Sequence, residues 1–116
     1  MKITNLNHVE KSMVTMEGAK DAFKQVPLSK QDGAPLFSFR VFTMEPGGHT
    51  PYHSHPFEHL NYVIEGVGAV KTESGEERPL SKGDFVLVLP DEVHQYKNTS
   101  AAGNLVLICA VPKEYE

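Results

Sequence analysis

The sequence predicts an all-β sandwich or barrel. Turn-forming residues cluster at short intervals, segments of strand-like composition lie between the clusters, and the longest apolar runs are β-branched and aliphatic. Gly, Pro, Asn, Asp and Ser gather in SKQDGAP (29–35), EPGGHTP (45–51), ESGEE (73–77), LSKGD (80–84), LPDE (89–92) and NTSAAGN (98–104). In order along the chain, residues 8–16 carry the one hint of helical spacing, through Val9, Met13 and Met16, and Gly18 cuts it short. LFSFRVFTM (36–44) alternates, with Phe37, Phe39 and Val41 on one side and Ser38 and Arg40 on the other. Two strand-like segments, LNYVIE (60–65) and VGAVKT (67–72), flank Gly66. FVLVL (85–89) and NLVLICAV (104–111) have the near-continuous apolar character of strands buried on both faces. Phe37, Phe39, Phe85 and Val63 are expected in the core or the wall of a pocket.

Composition narrows the function classes. The 116 residues suit one compact domain over 1–116. A formal net charge of −4, with no run of Lys and Arg, argues against nucleic acid and anionic membrane as partners. The single cysteine, Cys109, cannot form an internal disulfide and reads as a small buried hydrophobe. No stretch has signal-peptide or membrane-spanning character, so the expected location is the cytoplasm.

The unusual feature is histidine. Four of the six histidines fall in GGHTPYHSHPFEHLNYVIEG, residues 47–66. In extended chain, residues two apart point the same way, so His53 and His55 share a face. Pro56 ends or kinks that segment, and His59 can fold back toward the same point from the next strand. His94, after FVLVLPDEV, is a fourth candidate from a distant strand. An H-x-H pair alone also occurs on ordinary exposed strands, so it is the combination with His59 and His94 that points to a metal site. His8 belongs to a polar N-terminal segment outside it. His49 is near enough to support a ligand or line the mouth. Glu58 has parity opposite to His59 and should face away, and Glu65 lies near the turn at Gly66.

These residues resemble the two motifs of the cupin superfamily. Gly47, His53, His55 and Gly66 fall on the first motif (47–66), with His59 where the family carries Glu. Gly83, His94 and Asn98 fall on the second (83–98). There the proline, Pro90, comes one place late and the second glycine is missing, with Asp91 and Glu92 in its neighbourhood. Residues 67–82 separate the motifs, room for two short strands. FTMEPGGHTPYHSHPFEH and the ending VPKE are similar to small single-domain cupins with a four-histidine metal site, often manganese-loaded. The resemblance implies a double-stranded β-helix (jelly-roll) barrel with the metal held in its wide end by His53, His55, His59 and His94. It also implies a homodimer, paired through edge strands or the N-terminal segment.

Exchanging Glu for His raises the charge of such a site. Three His and one Glu leave a divalent centre at +1, whereas four neutral imidazoles leave it at +2 and favour an anionic ligand. Mn is the metal implied by the resemblance; imidazoles also suit Fe, Ni, Cu, Co and Zn. The expected function is a mononuclear metalloenzyme, of oxygenase or other oxidoreductase type, acting on a small anionic organic molecule. The alternatives are a redox-silent Lewis-acid isomerase or decarboxylase and a non-catalytic ligand-binding cupin. His49, Phe57 and Tyr96 are candidates for contacting the substrate. Glu58, Tyr62 and Glu92 are further polar groups near the motifs, but spacing singles out none as a base.

Overall fold

The computed structural model describes residues 1–116. Nine strands follow in order: β1 (Ser12–Met13), β2 (Lys20–Leu28), β3 (Phe37–His49), β4 (His59–Glu65), β5 (Val67–Thr72), β6 (Glu77–Ser81), β7 (Phe85–Val88), β8 (His94–Lys97) and β9 (Leu105–Pro112). The remaining elements are three short 3-10 turns, and no helix is long and apolar enough to cross a membrane. The expected strands at 36–44, 60–65, 67–72, 85–89 and 104–111 all form. The helical hint at 8–16 does not: that stretch holds the end of a 3-10 turn at Leu6–His8 and strand β1. Tertiary contact decides it, because Gln25 Nε2 donates to the carbonyls of Leu6 (2.9 Å) and Val9 (3.0 Å) and pins the segment in extended form across β2.

The strands order as β6-β5-β8-β3-β9-β4-β7, with β2 paired to β3 and β1 to β2. The sheet curls into the all-β jelly-roll barrel that was expected. β3 makes the curl possible. It runs beside β9 from Phe37↔Pro112 to Met44↔Leu105, and its last residue, His49, then pairs with Lys97 of β8. Gly66 turns β4 into β5 with φ +88, and a Cβ there would lie 2.1 Å from the Asn104 carbonyl oxygen, so only glycine fits.

Burial along β3 reverses the simplest reading of its alternation. Ser38 (2% exposed) and Arg40 (9%) face the interior, while Phe37 (60%) and Phe39 (43%) face outward. Phe85 is 81% exposed, and Leu87 and Leu89 of the FVLVL run are exposed too. The 85–89 strand is therefore not buried on both faces, whereas β9 is covered on both, with Leu105, Val106, Leu107, Cys109 and Val111 all buried. Of the four residues expected in the core or pocket wall, Val63 alone is buried. The physical reason is that the barrel interior is divided. One end is packed with Ala22, Met44, Val63, Val70, Leu80, Val88, Leu105 and Leu107. The other end holds polar side chains around a cavity, so inward positions there are polar and outward ones apolar. The register shows it: Arg40 pairs with Cys109, and Cys109 with Asn61, a row of inward residues across β3, β9 and β4.

Candidate metal centre

The polar end of the barrel encloses a cavity of about 770 Å³ whose lining includes His53, His55, His59, His94, Arg40 and Tyr96. His53 and His55 sit in the loop between β3 and β4, while His59 opens β4 and His94 opens β8. His53 makes an isolated bridge to His94, which anchors the loop to the barrel wall.

The ligand atoms of His53, His55 and His94 lie within 4.8 Å of one another. Their hydrogen bonds fix which nitrogen faces the cluster. His55 Nδ1 donates to the Phe57 carbonyl (2.8 Å) and His94 Nδ1 to the Glu92 carbonyl (2.8 Å). A carbonyl only accepts, so both rings carry their proton on Nδ1 and present a lone pair at Nε2. His55 Nε2 is buried and has no hydrogen-bond partner. An orphaned, buried lone pair beside two further imidazoles fits a cation. These three histidines are positioned to bind a divalent metal.

His59 belongs to the cluster without joining the trio. Its ring lies 4.1 Å from that of His55 and 5.5 Å from that of His94. Its Nε2 accepts a hydrogen bond from Arg40 Nη2 at 3.0 Å. Electrostatics keep all four rings neutral, the form that ligates. Burial, then His94, His55 and Arg40, lowers His53 to about 4. Burial, followed by Arg40, lowers His59 to about 2. Burial likewise lowers His55 and His94, against the opposing pull of their carbonyl partners.

The other candidates separate clearly. Phe57 lines the cavity and stacks between His55 (centroids 4.1 Å) and Tyr115 (3.9 Å). Tyr96 also lines it, and its hydroxyl donates to Asn61 Oδ1 at 2.8 Å. Burial raises the Tyr96 phenol well above its usual range, so it stays protonated. His49 ends β3 outside the cavity lining, with Nδ1 3.1 Å from the Thr50 carbonyl. Glu58 and Glu65 are exposed, as parity predicts for Glu58. Glu92 accepts from the Leu89 amide at 3.0 Å, and Tyr62 packs on Phe85 outside the barrel. His8 is exposed.

The irregular second motif has a local explanation. Asp91 has φ +66, a left-handed conformation, and stands where the motif carries glycine. Its amide donates to the His55 carbonyl at 2.7 Å, tying the turn before β8 to the first motif. Asn98 is buried and structural: its Nδ2 donates to the carbonyls of Met44 (2.9 Å) and Gly103 (2.8 Å).

Sequence reasoning missed Arg40, Asn61 and Cys109 as cavity residues, along with Tyr115 and Glu116. The signal for Arg40 was present in the alternation of β3, but it needed the polar side to be the inner one.

Comparison with known proteins agrees with this geometry. The chain is 36% identical over 94 residues to gentisate 1,2 dioxygenase 1 of Aquipseudomonas alcaligenes, covering 74% of this chain and 27% of that protein. It is 32% identical over 68 residues to (R)-mandelonitrile lyase of Granulicella tundricola, covering 59% of this chain and 52% of that one. The chain thus spans about a quarter to a half of these curated relatives. Among solved structures, the polyketide cyclase RemF of Streptomyces resistomycificus superposes with a TM-score of 0.91 at 26% identity, over 97% of this chain and 79% of that one. A predicted oxalate decarboxylase of Thermotoga maritima superposes with a TM-score of 0.83 at 20% identity, over 97% and 99%. The cupin domain family model matches residues 40–111, which contain both motifs and all four clustered histidines, and the chain belongs to that family.

Proposed function

We propose that residues 1–116 act as one cupin domain that holds a single divalent metal through His53, His55 and His94, with His59 as fourth ligand. We propose oxygen or redox chemistry on a small anionic organic molecule as its activity. The observation that carries this reading is the partnerless, buried Nε2 of His55 facing His53 and His94 at the wall of a cavity of organic-molecule size. A bound metal would supply Lewis acidity and, with Mn or Fe, redox capacity. The chain's own residues orient the imidazoles through carbonyl partners, line the cavity with Phe57 and Tyr115, and keep the Tyr96 phenol protonated beside it. The dioxygenase name of one relative supports oxygen chemistry.

The second reading is redox-silent Lewis-acid catalysis. It is supported by the cyclase title of the RemF structure and the lyase name of another relative. A binding module that retains its ligand unchanged is the third.

A homodimer in the cytoplasm is part of the proposal. The exposed Phe37, Phe39, Leu60, Phe85 and Leu87 support an outer-sheet interface, and the lone buried Cys109 suits a reducing compartment.

The test is elemental analysis of untagged wild type, His55→Ala and His94→Ala. About one metal per chain in the wild type, lost in both variants, supports the centre. No stoichiometric metal after reconstitution with Mn, Fe, Co, Ni, Cu and Zn sinks it. Turnover of small aromatic and aliphatic carboxylates in air but not under strict anaerobiosis selects the first reading over the second. Retention without conversion selects the third.

A further inference from the structure

Arg40 is a cation inside the barrel without a counter-charge. It is 9% exposed and lines the cavity. The chain's ion pairs are Lys2–Asp32 and Lys97–Glu77, and neither involves it. Its Nη1 donates to the Tyr115 carbonyl (3.2 Å), its Nη2 to His59 Nε2 (3.0 Å) and Cys109 Sγ (3.2 Å), and its Nε has no partner at all. One face of the guanidinium rests on Phe42, 4.9 Å from the ring centre.

A buried guanidinium is costly unless it is paired, and none of its three acceptors here is a carboxylate. Lys24 and Glu116 are the other formally charged side chains of the lining. Glu116 makes no ion pair with Arg40, and its Oε2 accepts from the Ser38 hydroxyl and from the Lys30 amide at 3.0 Å. The cavity is therefore electropositive on one wall, next to the histidines, in a chain whose net charge is −4.

One contact couples this wall to the metal centre. A guanidinium only donates, so the lone pair of His59 Nε2 is spent on Arg40. The same lone pair cannot serve a metal at the same time. We propose that Arg40 is the residue that binds the anionic group of the ligand, a carboxylate or comparable oxyanion. We further propose that His59 gates it: as long as His59 Nε2 accepts from Arg40, part of the guanidinium is occupied, and when His59 turns to a metal Arg40 is released to take the anion. The second half rests on the proposed function, since it needs His59 as a ligand. The first half does not, because an anion site at Arg40 stands on the unpaired guanidinium alone. A planar fork of donors suits a carboxylate.

The test measures binding and no turnover. Benzoate is titrated calorimetrically into the protein, with benzamide as the neutral analogue of the same shape, and metal content is measured on every sample. In metal-loaded wild type benzoate binds and benzamide binds weakly. Arg40→Met weakens benzoate at least about tenfold, as expected for losing a charge-assisted bond, and leaves benzamide and metal content unchanged. Arg40→Lys restores part of the loss, and melting curves confirm that each variant is folded. In the metal-free protein, His59→Ala frees Arg40 and tightens benzoate at least about fivefold over metal-free wild type, roughly 1 kcal/mol, without tightening benzamide. If that variant does not melt cooperatively, His59→Leu carries the same comparison. Equal benzoate affinity in wild type and Arg40→Met overturns the anion site. Tightening of benzamide along with benzoate, or of neither, overturns the gate. A wild type that takes up no metal refutes the metal reading, and the metal-free titrations still decide the Arg40 site.

Discussion

His53 and His94 exchange two backbone hydrogen bonds, His53 N to His94 O at 3.1 Å and His94 N to His53 O at 2.9 Å. One imidazole belongs to a loop and the other to β8, and this reciprocal pair locks them side by side, with ring centroids 5.2 Å apart. A site built this way would pay little ordering entropy on binding an ion. The two amides should exchange slowly with deuterated solvent in the metal-free protein, whereas the Ser54 and Glu58 amides of the same loop should exchange fast. Hydrogen-exchange NMR reads this directly. A His53 amide as labile as that of Ser54 would mean the loop orders only on metal binding.

Asp91 bears on the same loop through its amide bond to the His55 carbonyl. With φ +66 it occupies backbone space that glycine enters freely and most residues avoid, at a cost of about 1–2 kcal/mol. Asp91→Gly should hold or raise the melting temperature. Asp91→Val, whose branched side chain suits the position least, should lower it by about 4 °C or more. Thermal melts of the two variants check the ordering; equal melting temperatures would show that the turn relaxes without cost.

The outer face of β9, β4 and β7 should bury itself in a partner. Leu60 stands opposite Ala110 on one side and Leu87 on the other, and Tyr62 is opposite Phe85. The exposed Phe37 and Phe39 of β3 extend the same surface. Wild type is expected to run at twice the chain mass in light scattering. The double change Phe85→Glu and Leu87→Lys should shift it to the monomer mass without changing metal content. A monomeric wild type would leave this apolar face unexplained by self-association.

How much of this was legible in the sequence depends on which interaction sets each feature. The five strands between the turn clusters could be read because β-branched and aromatic composition between turn residues marks a strand whichever of its faces is inside. The histidine cluster could be read because its ligands are chemically unusual and closely spaced. β2 was not visible: KDAFKQVPL carries Lys20, Asp21 and Lys24, and its extended form comes from pairing with β3. Arg40 was visible only as a polar residue in an alternating strand. Alternation shows that two faces differ without showing which is inside, and the ordinary rule that apolar faces inward fails where a barrel keeps a wet cavity. Asp91 was visible only as the residue standing near the motif's missing glycine, because composition does not record a left-handed φ at a non-glycine residue.

The lowered proton affinity of the four clustered histidines makes the stability of the metal-free protein depend on pH. In the unfolded chain they take up protons near pH 6.5, their ordinary value. In the folded chain burial holds them neutral further down, to about 4 for His53 and about 2 for His59. Between pH 6.5 and 4 the unfolded chain therefore binds more protons than the folded one, so stability falls as the pH drops through that window and is level above it. The metal-free melting temperature should be flat above about pH 7.5 and lower at pH 5.0 by about 4 °C or more, the response of a domain this small to roughly 1 kcal/mol. His53→Gln, which cannot take up the proton, should reduce the slope. A melting temperature independent of pH from 7.5 to 5.0 would mean the cluster opens to water and titrates normally, and the cavity would then be far wetter than its burial implies.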